Sequence, residues 1–496
     1  MAFNLFKKKI IGADAIYYNG KIFTQDPDCP WAEAVACKNG RVLAVGDTES
    51  LLEMEEEETL MVDLEGEYLF PGLIDPAGHP VLAVFNKWCL YLDTKASLET
   101  VLQELKQYVS ANPDQEVYFG YGFSAGLLSE KSLEEAASLL DDLGVESPVV
   151  LLADGGNAIW LNTHAIQVVK ESAEQDKLPS ITLPYILYTL APFDHVALEK
   201  ESLLLGEQYK ALGFTSVLSC GEPDYMQGVY QQCLVDMYQC GTHLQRYFGG
   251  LLVNSNVSAK AVIHKLLQKK TVCMELDDNF NYNMLKLVIA SDGPASSISL
   301  ENLIDLCNEC GDSGFDIHMD ALGPQALIDS AAAIRKMRAA GYRRNTVVLA
   351  HSEDVEKINA SAEDPIDFQE LQAIETPLTV QSPMRLFPDF SRFETTQELV
   401  DFYTIHGAEI LGFENQLGQI INGYYADFTV FKTNPLDVDP PRFADLEVSM
   451  TVINGLPTKV GDMSLEDDFF DELEDFDPDR VGLDGMRGLD NLGGIV

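Results

Sequence analysis

The stretch Leu69-Phe70-Pro71-Gly72-Leu73-Ile74-Asp75-Pro76-Ala77-Gly78-His79 decides how the chain is read. An apolar strand breaks at Pro-Gly and resumes as a second apolar strand, whose far end carries Asp75 and His79. Before it lie short strands: Ala15–Tyr18 and Lys21–Thr24 around Asn19-Gly20, then Glu33–Cys37 and Arg41–Val45 around Asn39-Gly40. Asn-Gly between β-rich runs is a strong hairpin signal. Beyond it the period changes. Helical patterns over Ser97–Ser110, Leu198–Leu212, Leu300–Cys310 and Pro324–Ala340 alternate with strand patterns at Val149–Leu152, Thr215–Leu218, Phe315–His318 and Thr346–Ala350. Repeated helix-then-strand units predict a parallel sheet, open or closed into a barrel. After a helical pattern over Glu398–Leu411, residues 418–460 return to short strands and another Asn454-Gly455 turn. Neither end has enough strands to bury a face alone, so the two should build one β unit.

The 496 residues are 46 % hydrophobic and 23 % charged, ordinary globular usage that excludes bulk disorder, collagen and coiled coil. The net charge of −46 is not ordinary. Phosphate backbones and anionic membranes repel such a surface, so neither nucleic acid nor membrane is an expected partner. Nine widely spaced Cys do not form a small disulfide framework. The start, MAFNLFKKKI, is not followed by an apolar stretch of signal-peptide length, and no window approaches a membrane span. The cytoplasm is the expected location. Residues 462–479 carry ten acidic and no basic side chains, interrupted by Phe469, Phe470, Leu473 and Phe476. Residues 461–496 therefore read as an acidic disordered tail, or as an element that docks on a basic protein partner. A homo-oligomer stays open.

The run from Leu69 to His79 resembles the amidohydrolase superfamily signature, roughly P-G-[LF]-I-D-x-H-x-H. Gly418-Gln419-Ile420-Ile421-Asn422-Gly423-Tyr424-Tyr425-Ala426-Asp427 resembles the family's return segment, G-x-I-x-x-G-x-x-A-D, and Val452-Ile453-Asn454-Gly455 its closing turn. Motif order over residues 12–460 is closest to the N-substituted formamide deformylase-like branch. The resemblance implies an α/β fold: a distorted or incomplete (β/α)8 TIM-type barrel over 70–414, with a composite β-sandwich from 12–69 and 415–460. It also implies hydrolysis of small-molecule C–N bonds other than peptide bonds, through water activated by a divalent metal such as zinc.

Carried over residue by residue, the metal ligands would be His79, Lys286, His318 and His351. Lys286, where the resemblance implies a Lys that becomes carbamylated, lies nearest the branch pattern K-x-x-x-D-G, with Asp292-Gly293 two residues further on than the pattern has them. Read without the family, a Lys at a buried strand end could instead snorkel to the surface. His318-Met319-Asp320-Ala321-Leu322-Gly323 resembles H-x-H-A-[IL]-G, with Asp320 in place of the second His. Leu349-Ala350-His351 resembles the next barrel His.

The losses are uneven. Ala77 stands where the first His of H-x-H belongs, and no strand ends in the Ser-Asp-x-Pro that supplies the family's proton-shuttling Asp. At most one ion is implied, with Asp320 the candidate substitute for the missing base. Two readings follow: a metal-dependent hydrolase on a reduced site, and a homologue that has lost the chemistry and serves in binding or assembly. Cys307-Asn308-Glu309-Cys310, within a helical pattern, reads as ordinary packing. Cys220 and Glu222 are spare ligand candidates.

Overall fold

The structure is a computed structural model that describes residues 11–85, 88–129, 131–153, 158–175, 186, 189–190, 195–219, 224–240, 243–274, 279–291, 296–350, 378–379, 390 and 393–458. The acidic tail, His351, Cys220 and Glu222 lie outside them.

Seven parallel strands form one curled sheet. Its order is Leu378–Thr379, Val347–Ala350, Asp316–Leu322, Phe280–Ala290, Arg246–Val253, Phe214–Ser219 and Leu73–Gly78. Chain order and sheet order agree throughout, as helix crossovers between parallel neighbours require. The strands are near-continuous apolar runs because they are covered on both faces. The helices Leu300–Ser313 and Pro324–Ala339 cross over between them and pack on each other. Ser299 caps the first through the Asn302 amide, and Gly314, at φ 73°, closes it.

The chain ends meet in a second sheet of six strands: Leu456–Thr458, Val448–Ile453, Phe428–Phe431, Tyr68–Pro71, Lys21–Phe23 and Trp31–Ala32. A four-stranded sheet holds Ala15–Tyr18, Ala34–Lys38, Arg41–Gly46 and Leu60–Asp63. Tyr17, Val35, Cys37, Leu69, Phe428 and Val452 pack into one core drawn from both sheets. Gly72 explains the Pro-Gly break: a Cβ there would lie 2.2 Å from Thr215 Oγ1. Gly72→Ala should therefore destabilise the chain by more than 1 kcal/mol, in the overpacking range of about 1–3 kcal/mol. A urea melt with an unchanged midpoint would contradict the contact.

A separate compact unit centres on residues 84–202. Its sheet runs Ile159–Leu161, Val149–Ala153, Tyr118–Phe123 and Cys89–Tyr91. Trp160 donates its indole N–H to the Ala136 carbonyl at 2.7 Å and packs edge-on against Phe123.

Three local expectations change. The His318 strand continues four residues past His318, because Asp320 and Leu322 stay paired to Val288 and Ala290. Lys286 lies inside its strand, 1 % exposed, so snorkelling to the surface is excluded. The helix expected over Glu398–Leu411 is Thr396–Asp401, one wide turn at Phe402–His406, then Gly407–Leu411.

Candidate functional site

Side chains two residues apart share one face of a strand. Asp316, His318 and Asp320 therefore line one face of their strand, and Met284, Lys286 and Val288 one face of the next. The register pairs Lys286 with His318 and Val288 with Asp320. This brings three chemically active side chains together. Lys286 Nζ is 2.9 Å from His318 Nδ1 and donates to Asp320 Oδ1 at 2.7 Å; His318 Nδ1 is 3.5 Å from the same oxygen. Lys286 and His318 are buried, whereas the Asp320 side chain is 14 % exposed and is the member nearest solvent.

The surroundings make this pairing obligatory. Ile74, Leu218, Phe248, Met284 and Val348 form an apolar cluster contributed by five strands of the same sheet. A buried ammonium or carboxylate is costly unless paired and hydrogen-bonded. Burial alone would push the Asp320 carboxyl up, but the charges and hydrogen bonds of Lys286 and His318 hold it well below the usual carboxylate range. Asp320 is thus an ionised group and a weak base.

Asp316, lower on the same face, behaves oppositely. Burial pushes its carboxyl up to about 6, against the hydrogen bonds it accepts from the Thr346 amide and Asn283 Nδ2, both at 2.8 Å.

Asp75 is held in the motif strand by Tyr209, which donates its hydroxyl to Oδ2 at 3.0 Å, and by the Ala77 amide at 3.3 Å from Oδ1. His79 follows that strand, which lies at the sheet edge with two strands between it and the strand of Lys286. Ala77 packs against the apolar cluster of Ile74 and Leu218, a use to which an alanine is suited and a ligand is not.

The donors of the cluster do not fit a metal ion as they stand. Two ligand atoms at about 2.1 Å from a tetrahedral zinc lie roughly 3.4 Å apart. His318 Nδ1 and Asp320 Oδ1 have that spacing, but the Lys286 ammonium is hydrogen-bonded to both. Among the described residues no group of three or more His, Cys, Asp or Glu side chains converges on one point.

Cys307 and Cys310 are packed helix residues. Burial pushes the Cys307 thiol up to about 12 and Cys310 well above its ordinary value. A thiolate is the reactive form, so a thiol reagent on the native chain should label the exposed Cys29 and Cys240 and leave Cys307 and Cys310 unmodified. Labelling of either helix cysteine, read by peptide mass, would refute this.

Sequence reading missed Tyr209 as the partner of Asp75, and Arg246 as the partner of Asp427. Arg246 offered a signal: it is a charged residue at the head of the buried run RYFGGLLV.

The Amidohydrolase family matches residues 60–231 and 367–458, more than half of the chain. The segment left out, 232–366, carries Lys286, His318, Asp320 and His351. The exoenzymes regulatory protein AepA of Pectobacterium carotovorum subsp. carotovorum is 30 % identical over 172 residues, 34 % of this chain and 37 % of that one. The chain thus spans about a third of the length of the first curated relatives it matches. The putative amidohydrolase YtcJ of Bacillus subtilis (strain 168) is 22 % identical, over 89 % of this chain and 98 % of its own. Among solved structures, an uncharacterized metal-dependent hydrolase from Pyrococcus horikoshii OT3 superposes with a TM-score of 0.55 at 15 % identity, covering 86 % of this chain and 99 % of that one. That likeness speaks to the fold. No helix among the described residues is long and apolar enough to cross a membrane.

Proposed function

Because the chain belongs to the amidohydrolase family, we propose that it is a hydrolase acting on a non-peptide C–N bond of a small molecule. The observation that carries the reading is the buried Lys286–His318–Asp320 cluster across two adjacent parallel strands, with Asp320, the member nearest solvent, toward the C-terminal end. That end of a parallel α/β sheet is where such folds place their chemistry. The similarity of the motifs to the N-substituted formamide deformylase-like branch supports an amide or formamide as the substrate class.

Hydrolysis adds water across the bond. Water oxygen bonds to the carbonyl carbon, the C–N bond breaks, and a water proton ends on the leaving nitrogen. Lys286 is the cation available to the carbonyl oxygen as it gains negative charge, and low surrounding polarity strengthens that attraction. His318 is the group suited to carry the proton, since imidazole titrates near neutrality. Asp320 stays ionised, holds Lys286 in place through Oδ1 and is the member of the cluster nearest solvent, placed to orient water. The metal-activated water implied by the resemblance has no step here, because the described donors do not fit the ion.

The test is a panel of N-substituted formamides, N-acyl amines and N-acyl amino acids presented to the full-length protein, with release of free amine as the readout. At least one class should turn over, and His318→Gln should lower kcat/KM by about 100-fold or more, the range for loss of a proton-transfer group. Saturable binding without amine release for every class would replace the hydrolase with a binding protein.

A further inference from the structure

We infer that the Lys286 ammonium is the resident cation of the site, taking the place between His318 and Asp320 that a metal ion would need. The inference rests on the reading of this cluster as the reaction site, and it goes further by saying what charge operates there.

The argument is geometric. His318 Nδ1 and Asp320 Oδ1 are 3.5 Å apart, the spacing of neighbouring ligands on one zinc ion. One cation already lies within bonding distance of both, at 2.9 and 2.7 Å. These are hydrogen-bond lengths for an ammonium, about 0.7 Å longer than zinc bonds to nitrogen and oxygen. A divalent ion bound to the same two atoms would sit against the ammonium, and like charges at such range repel strongly where water is excluded.

The rest of the motif set agrees. Ala77 cannot ligate and is packed in an apolar cluster, and Asp75 accepts hydrogen bonds from Tyr209 and Ala77. The Lys286 side chain is 2 % exposed, which suits a fixed charge and not a mobile surface group.

A lysine that stands in for a metal has a chemical consequence. It supplies one positive charge and hydrogen-bond donors, enough to hold a carbonyl oxygen or a carboxylate of a substrate. It does not lower the pKa of a bound water as a zinc ion does. Among C–N bonds the site therefore favours those whose departing amine is weakly basic, and its activity should be indifferent to chelators.

Metal analysis of the full chain, expressed in zinc-supplemented medium and purified without a metal-affinity step, tests the inference apart from any activity. The wild type should hold well below one zinc per chain, and its thermal midpoint should not move on dialysis against EDTA. Lys286→Glu replaces the ammonium by a third donor, a carboxylate oxygen, beside His318 Nδ1 and Asp320 Oδ1, and should gain about one zinc per chain, with a midpoint that falls when zinc is removed. Adding His318→Ala to Lys286→Glu should abolish that gain. About one tightly held zinc in the wild type, lost in His318→Ala, would overturn the inference; the same zinc retained in His318→Ala would lie outside the cluster and leave it standing. If Lys286→Glu does not fold, the wild-type and His318→Ala measurements decide alone. A metal-free chain without turnover on the amide panel would remove the proposed hydrolase while keeping the ammonium assignment.

Discussion

Asp427→Ala should cost about 3–5 kcal/mol of stability, the range for removing one partner of a buried ion pair. Asp427 belongs to the Ala-Asp of the return segment, and its carboxylate receives Arg246 Nε at 3.0 Å and Nη2 at 3.2 Å. The two side chains are 1 % and 2 % exposed. The guanidinium also donates to Asn454 Oδ1 at 2.8 Å and stacks over the Tyr425 ring at 4.0 Å. Asp427 Oδ1 accepts the Asn454 amide as well, at 2.9 Å, which sets the Asn454-Gly455 turn. Alanine leaves a buried, unpaired guanidinium and a turn without its acceptor.

Spread over about 300 residues at roughly 2.1 cal/mol/K each, the loss is a fall of about 5–8 °C in the thermal midpoint. Arg246→Met with Asp427→Leu should recover much of it, because the uncompensated charge is gone. A single Asp427→Ala chain melting with the wild type would show that the pair carries no net weight.

The motif's Asp was visible in the sequence, but its use was not. Arg246 lies 181 residues away in the chain, and no local pattern announces a partner at that separation. The same holds for the site. Two-residue spacing puts His318 and Asp320 on one strand face only because the strand runs on to Leu322. The pairing of Lys286 opposite His318 depends on the register between two strands, and register is set by packing of whole apolar faces. Lys286 therefore read as a ligand through the family resemblance alone, and otherwise as a lysine that snorkels to the surface from a strand end. Burial within a strand removes the second use, and Lys286 instead bonds His318 and Asp320.

The layered α/β pattern and the joined chain ends were legible for the opposite reason. Each rests on local signals: Asn-Gly turns, a Pro-Gly break that accommodates Thr215, and helix-then-strand periods in sequence order. The continuation of the His318 strand to Leu322 was not legible, because Met319-Asp320-Ala321 has weak strand preference and is kept extended by pairing with Leu287-Val288-Ile289.

Asp316 provides the sharpest pH signature. Its carboxyl is pushed up to about 6 in the folded chain by burial, above an unfolded value of 3.8. Between these values the folded state holds more protons than the unfolded state, so stability falls as pH rises. The favourable contribution is fully present below about 3.8 and is lost through about 6. Two pKa units at 1.36 kcal/mol each set its size at about 3 kcal/mol.

Asp316→Asn removes the titration while keeping a group that can still accept one hydrogen bond, from the Thr346 amide or from Asn283. The stability of the wild type relative to Asp316→Asn, taken from urea midpoints at pH 4, 5, 6 and 7, should therefore decline across that range and level off above it. Parallel pH profiles for the two chains would mean that Asp316 is already ionised in the fold at pH 4. The carboxylate would then be stabilised by Asn283, Thr346 and the nearby Lys270 more than burial opposes it.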